Sequence, residues 1–223
     1  MHPDWLPWLL QVNDSQFPSG AYAHSMGLEE LVQRGLVSTA DELEAFLHRQ
    51  IVPSLLAFEI PYLLRAHAAA ARGDTGALRM LDVELDAWKL AAEMRAASRQ
   101  LGSRRFALVR KLTPAPLLDC YADSGAPCHH LIVCALELRE TPAEAAVCSF
   151  AYQTLSGYTS AALKLIRIGQ ECVQTLLRGA VSALLSEFSR LPAATEGRTG
   201  WFNPLLEIAS MRHARAAERL FIS

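Results

Sequence analysis

The chain has 223 residues, 51% of them hydrophobic and 20% charged, and its Lys+Arg 21 against Asp+Glu 23 leaves a formal net charge of -2. That near balance argues against a protein held to phosphate backbones by bulk charge. The apolar share excludes a disordered chain, and Gly 12 with Pro 11 excludes collagen-like and low-complexity classes.

Taken in order, the elements read as helices. The opening MHPDWLPWLLQ carries an acid at Asp4 and no basic stretch before its apolar residues, which is not the pattern of a secretory signal. Thr39 with Glu42 makes a capping box, opening a helix through Leu43, Phe46, Leu47 and Ile51. Pro53 and Pro61 are expected to break or kink its continuation. Asp74 or Thr75 caps a helix that carries Leu78, Leu81, Leu85 and Trp88 at helical spacing. Pro114, Pro116 and the run Asp123 to Pro127 punctuate the middle.

The next element starts at Thr141-Pro142-Ala143-Glu144, read as an N-cap, a proline at the first helical position and a capping-box acid. Val147, Ala151, Thr154, Tyr158, Ala161, Leu165 and Ile168 follow at spacings of four and three, with Gly169 at the expected end. Ala151, Gly157 and Ala161 are small enough to admit a close neighbour. Ala145 to Leu163 carries no charge, but Ser149, Gln153, Thr154, Ser156, Thr159 and Ser160 make it a buried central helix rather than a membrane span. A further helix runs through Leu176, Leu177, Ala180, Leu184 and Phe188, and Asn203-Pro204 caps a last one. The expectation is an all-α, single-domain helical bundle over residues 1–223, with a linker at 192–203 tethering a C-terminal helical segment at 204–223.

No metalloprotease, P-loop, nucleophile-elbow or dinucleotide motif is present. Five cysteines (Cys120, Cys128, Cys134, Cys148 and Cys172), odd in number and without a C-x-x-C pair, read as reduced packing residues of a cytoplasmic protein. Cys128-His129-His130 followed by Cys134 is the only metal-like cluster, and the plainer reading makes Cys134 a packing residue with His130 at a helix start. Arg95, Arg99, Arg104, Arg105, Arg110 and Lys111 read as a solvated helix face balanced by Asp82, Glu84, Asp86 and Glu93. Only Phe106 lies among them, against the aromatic interleaving of a nucleic-acid surface.

Asp14 to Glu29 is compositionally odd. Pro18 and Gly20 suggest a turn, Ser25 can cap, and Gly27 stands early in a helix, where it costs roughly 1 kcal/mol against alanine unless close packing requires it. His24 reads as a hydrogen-bonded structural histidine.

That segment, PSGAYAHSMGLE, resembles the P-x-G-G/A-aromatic-x-x-S-x-G-L-E signature of the urease accessory protein family UreF, with Pro18, Gly20, Tyr22, Ser25, Gly27, Leu28 and Glu29 on the matching positions. LKLIRIGQ is similar to the family's K-L-x-x-x-G-Q stretch through Lys164, Gly169 and Gln170. PLLEIASMRHARAAERLF resembles its C-terminal segment, with Arg212, His213, Arg219, Leu220 and Phe221 in register.

The resemblance implies an all-α homodimer without enzymatic activity, catalytic residues or a cofactor of its own. It would bridge UreD (UreH in some organisms) and the nickel-carrying GTPase UreG on apo-urease, nickel being handled by the complex and not held stably by this chain. It implies a cytoplasmic protein that binds neither nucleic acid nor membrane. The motif residues are expected to face or support partners. Leu205, Leu206, Ile208, Leu220 and Phe221 would offer an apolar face, and Lys164 would leave the core at a helix end with its ammonium in water. Two other readings stand beside this one: a stand-alone helical metal-binding enzyme using Cys128, His130 and Cys134, and a UreF-like scaffold serving another metalloenzyme.

Overall fold

Helix starts appear where cap chemistry allows them. In a computed structural model, which describes residues 3–190 and 202–223, the Glu42 amide donates to Thr39 Oγ1 at 3.2 Å and the Thr39 amide to Glu42 Oε2 at 3.1 Å, closing the capping box of α3 (Ala40–Phe46). Asp74 caps α6 (Thr75–Trp88) through the Ala77 amide at 2.9 Å, and Asn203 caps α12 (Pro204–His213) through the Leu206 amide at 3.2 Å. All regular elements among the described residues are helical, so the all-α expectation holds. No helix among them is long and apolar enough to cross a membrane.

Two expectations about boundaries are corrected. Pro53 and Pro61 do not end the helix begun at Ala40. It continues through a π turn at Leu47–Ile51, α4 (Val52–Ser54), a second π turn at Leu55–Glu59, and α5 (Ile60–Ala71). A helical proline clashes with the carbonyl four residues earlier, here those of Arg49 and Ala57, and each lies within a widened turn that gives the ring room. Gly169 does not end the long helix either: α10 (Ala143–Leu165) stops earlier, and Gly169 is the residue before α11 (Gln170–Phe188), its carbonyl accepting from the Val173 amide. At the start of α10 the Thr141 hydroxyl donates back to the Leu138 carbonyl at 2.7 Å. The linker expected at 192–203 lies outside the described residues except for Phe202 and Asn203.

The chain divides into two compact units, each assembled from separated stretches. The first takes the N-terminal residues to Gly20, Tyr62–Lys89 and Ser98–Phe150. It holds α1 (Leu6–Asn13), α6, α8 (Pro116–Asp123), α9 (His130–Glu137) and most of α7 (Ala92–Leu112). From Leu131 to Glu137 every residue of α9 is buried. Arg105 and Glu137, both almost fully buried, pair there, and the Arg105 guanidinium also donates to the Val12 carbonyl at 3.2 Å and lies over the Phe17 ring. Elsewhere in the basic run, Arg99 pairs with Asp86 and Arg110 with Asp119.

Asp82 organises the entry to α9. Fully buried, it accepts from Tyr121 Oη at 2.7 Å and from the amides of Cys128 and His129 at 2.6 and 3.0 Å. The His129 ring then meets Ser98 Oγ and Asp86 Oδ1, each at 2.9 Å. Burial pushes its imidazole down to about 4; the Asp86 hydrogen bond opposes this, and the Lys89 and Arg99 charges add to it. Helix α7 passes so close that a Cβ on Gly102 would stand 1.9 Å from the Cys128 carbonyl oxygen.

The second unit takes Ala21–Pro61, Leu90–Ala97 and the chain from Ala151 on. Its core includes Leu28, Leu43, Phe46, Leu47, Leu155 and Leu184, with Phe46 edge-on to Tyr158 at 5.6 Å. Ala151 and Ala161 of the expected seam are buried, whereas a Cβ on Gly157 would meet nothing within 4 Å.

Two outcomes follow for the first unit. Gly102→Ala should destabilise the protein by about 3 kcal/mol, since backbone must move to admit the methyl group; an unchanged urea midpoint would show that the approach is slack. His129 is neutral in the fold and takes up a proton on unfolding below its ordinary value of 6.5. Stability should therefore fall as pH drops from 6.5 to 4, by about 3 kcal/mol from this ring. Urea titrations across that window should show a shallower fall in His129→Asn.

Candidate functional site

The odd N-terminal segment is built from the backbone upward. Ala21–Ala23 forms a single 3-10 turn, and Met26 (φ 51) and Gly27 (φ 88) then take left-handed conformations that turn the chain into α2 (Leu28–Gln33). Gly27 answers to its φ, which favours glycine; a Cβ there would make only ordinary contact with α12, 3.4 Å from the Ala209 Cβ and 3.7 Å from the Leu206 carbonyl oxygen. Ser25 caps the first turn of α2 at long range, its Oγ accepting from the Glu29 amide at 3.4 Å. Its hydroxyl donates at 2.9 Å to the main-chain oxygen of Ser223, which the amides of Ser25 and Met26 also reach.

Glu29 is the meeting point of the two motifs. Its buried carboxylate accepts from the Leu220 amide at 2.7 Å, the Phe221 amide at 3.0 Å and Gln33 Nε2 at 3.4 Å, and it faces His213 Nε2 at 3.0 Å. The other ring nitrogen of His213 lies 3.0 and 3.1 Å from the two oxygens of Glu93, which also accepts from Ser210 Oγ and, at 3.5 Å, from Arg219. The His213 side chain is 0% exposed. Burial raises the Glu29 carboxyl, but the hydrogen bonds from Leu220, His213 and Phe221, aided by the His213 charge, outweigh it and hold the group below its usual value. His24 joins the same strapwork through Ser223 Oγ at 2.6 Å, as a structural histidine should.

Helix α12 is seated at its other end by Asn203 Nδ2 donating to Gln50 and by the Ala91 amide donating to Glu207. The third motif contributes Lys164, near the end of α10. Its ammonium lies 5.2 Å from the centre of the Phe221 ring and 5.9 Å from that of Tyr22, so it stands exposed but held by two aromatic faces. Tyr22 is 79% and Leu220 62% exposed, whereas Phe221 is buried.

The structure thus gathers Tyr22, Ser25, Gly27, Leu28, Glu29, Lys164, His213, Arg219, Leu220 and Phe221 within the second unit. Pro18 and Gly20 belong to the first unit, where a Cβ on Gly20 would press on Arg104. Gly169 and Gln170 stand exposed at the start of α11, and Arg212 is exposed on α12. The apolar face expected of the C-terminal segment is divided: Leu206 and Phe221 turn inward, while Ile208 and Leu220 face out.

Sequence reasoning missed Glu93 as the second carboxylate, having counted it only as balance for nearby arginines, and it missed the Ser223 anchor. The spacing of Glu93 from His213 carries no local signal. The metal-like residues behave otherwise: the Cys134 sulfur touches the His130 ring at 3.6 and 3.8 Å, and burial pushes the Cys134 thiol up to about 12 and the Cys128 thiol to about 11. Metal ligation needs the thiolate, which such burial opposes. Among the described residues no group of three or more His, Cys, Asp and Glu is placed to hold an ion.

Glu29→Ala removes one acceptor for two amides and one wall of the His213 site. It should cost about 3 kcal/mol at neutral pH and make residues beyond Ala214 the first site of limited proteolysis. A melting temperature within about a degree of wild type would reject that role.

Comparison with known proteins agrees with the motifs. The UreF family model matches residues 37–181. The chain is 30% identical over 221 residues to a urease accessory protein UreF of Paenarthrobacter aurescens (strain TC1), covering 96% of each chain. It is 31% identical to that of Microcystis aeruginosa, covering 96% of each, and 32% identical to that of Bacillus sp. (strain TB-90), covering 96% of this chain and 97% of the relative. A match of this extent, carried by motifs that the fold ties together, makes this chain a member of the UreF family of urease accessory proteins, which are accessory proteins and not enzymes.

Proposed function

We propose that this chain is a scaffold for urease maturation, joining UreD (UreH) to the GTPase UreG on apo-urease while the assembly loads nickel. It acts as a homodimer in the cytoplasm, and nickel is cargo of the complex. The observation that carries the reading is the convergence of three separate motifs on one small region. Buried parts of these motifs (Gly27, Glu29, His213, Phe221) shape the region, and exposed parts (Tyr22, Lys164, Leu220) stand on it.

Such a division suits a scaffold. The buried groups fix geometry, and the exposed ring, cation and aliphatic side chain supply contact chemistry. Lys164 is the residue most suited to meet an acid on a partner. Held over two rings, its ammonium loses little freedom when it pairs, and a desolvated charge pair across an interface costs roughly 2–5 kcal/mol to break.

The test is co-expression with UreD, UreG and apo-urease. The wild-type chain should co-purify with UreD and UreG and restore nickel-loaded urease. Lys164→Ala should cost about 1 kcal/mol of stability from its ring contacts yet lower complex yield about tenfold or more, and Lys164→Arg should recover most of it. If the wild-type chain neither co-purifies with these partners nor restores urease, the scaffold reading fails. Normal assembly by Lys164→Ala would remove only the role given to the lysine.

A further inference from the structure

His213 sits between two carboxylates, and that placement has a proton requirement. A neutral imidazole carries one N–H, so it can donate to Glu29 or to Glu93 but not to both. Yet Nε2 lies 3.0 Å from Glu29 and Nδ1 3.0 and 3.1 Å from the Glu93 oxygens, with the His213 and Glu29 side chains buried and that of Glu93 only 11% exposed. With a neutral ring and two ionised acids, one nitrogen lone pair would face a carboxylate oxygen at hydrogen-bond distance. One additional proton removes that conflict. Glu29 is an unsuitable place for it, because its oxygens already accept from the Leu220 and Phe221 amides.

We propose that His213 is held as an imidazolium between Glu29 and Glu93, and that loss of this proton in mildly alkaline solution unlatches the C-terminal segment from Leu220 to Ser223. The charged groups facing the ring are Glu29 from α2, Glu93 from α7 and, across Glu93, Arg219 of the segment itself. Their balance is two negative charges against one positive without the ring proton, and even with it. The amides of Leu220 and Phe221 rest on the same Glu29 carboxylate that the ring holds in place, and Ile222 donates to the Ala23 carbonyl one step further on. Weakening the His213 bridge therefore loosens the whole strap.

The sign follows from proton counting. The latched state binds one proton more than the open state, in which the ring faces water. Latching is complete at acidic to neutral pH, down to the range where carboxylates protonate, and weakens about tenfold per pH unit once an exposed imidazole would be neutral. The device needs no partner, so it stands or falls separately from the scaffold role.

Two measurements on the full chain alone test it. The first is the nitrogen chemical shifts of the His213 ring at pH 7, expected to report both nitrogens protonated. The second is hydrogen exchange at Leu220, Phe221 and Ile222, expressed as protection factors to remove the intrinsic pH dependence. Protection should fall about tenfold between pH 7.5 and 8.5 and again by 9.5. Glu93→Gln supplies a neutral acceptor and an N–H donor in the same shape, so its segment should stay protected across that range. A neutral His213 tautomer in the wild type at pH 7, or wild-type protection unchanged from pH 7 to 9.5, overturns the proposal. Should Glu93→Gln fail to fold, the wild-type ring state and protection profile decide it alone.

Discussion

A carboxylate buried without partners costs several kcal/mol, and a folded chain keeps one only by surrounding it with donors. Glu29 is such a group, and most of its donors come from residues near the other end of the sequence. The turn through Met26 and Gly27 places the carboxylate, the packing of α12 over Gly27 places His213, and the strap beyond α12 delivers the Leu220 and Phe221 amides. None of these pieces is satisfied without the others. The N-terminal signature and the C-terminal segment are therefore coupled through Glu29, and Lys164 stands against one ring from each.

The first unit meets the same constraint with different chemistry. Asp82 is also fully buried and also accepts from two consecutive amides, yet burial wins there and its carboxyl is raised above the usual range, with the Asp86 charge adding to the effect. Burial is the largest influence on both carboxyls; at Glu29 the hydrogen bonds from Leu220, His213 and Phe221 outweigh it, whereas at Asp82 those from Tyr121, His129 and Cys128 do not. Glu137 resembles Asp82: burial raises it despite Arg105. Such pairs contribute less to net stability than an apolar core of the same volume, but leaving either partner alone is costly. They define which arrangement of α7 and α9 is acceptable more than they deepen it.

For an accessory protein, geometry is the functional quantity. The motif residues divide into those that hold shape and those that stand in solvent, and both kinds occur in the first and last motifs: Gly27 and Tyr22 in the first, Phe221 and Leu220 in the last. The exposed cation Lys164 is steadied between rings contributed by two different motifs. Binding surfaces built this way lose little conformational entropy on association, because the ordering has been done by the fold.

Local chemistry was legible from the sequence. The Thr39–Glu42 box, the Asp74 and Asn203 caps, the apolar spacing of α6 and the buried Val147, Ala151, Tyr158 and Ala161 of α10 depend on residues within a few positions of one another, and so do the family motifs; the exposure of Tyr152, Ser160 and Leu163 shows that α10 is buried on one side only. Within the metal-like cluster, the burial of Cys134 follows from the apolar run that carries it. What the sequence could not contain was the outcome of competitions between distant groups. Prolines at 53 and 61 look like breaks or kinks because a regular helix cannot hold them; the helix continues through widened turns beneath them, with Leu47, Ile51 and Leu55 buried. Gly169 looked like a terminus and instead opens the next helix. Glu93 looked like one more surface acid, and only tertiary packing sets it beside His213. The reason is one of range: caps and periodicity are decided by neighbours in sequence, whereas a buried charge is decided by whichever donors the whole chain can bring to it.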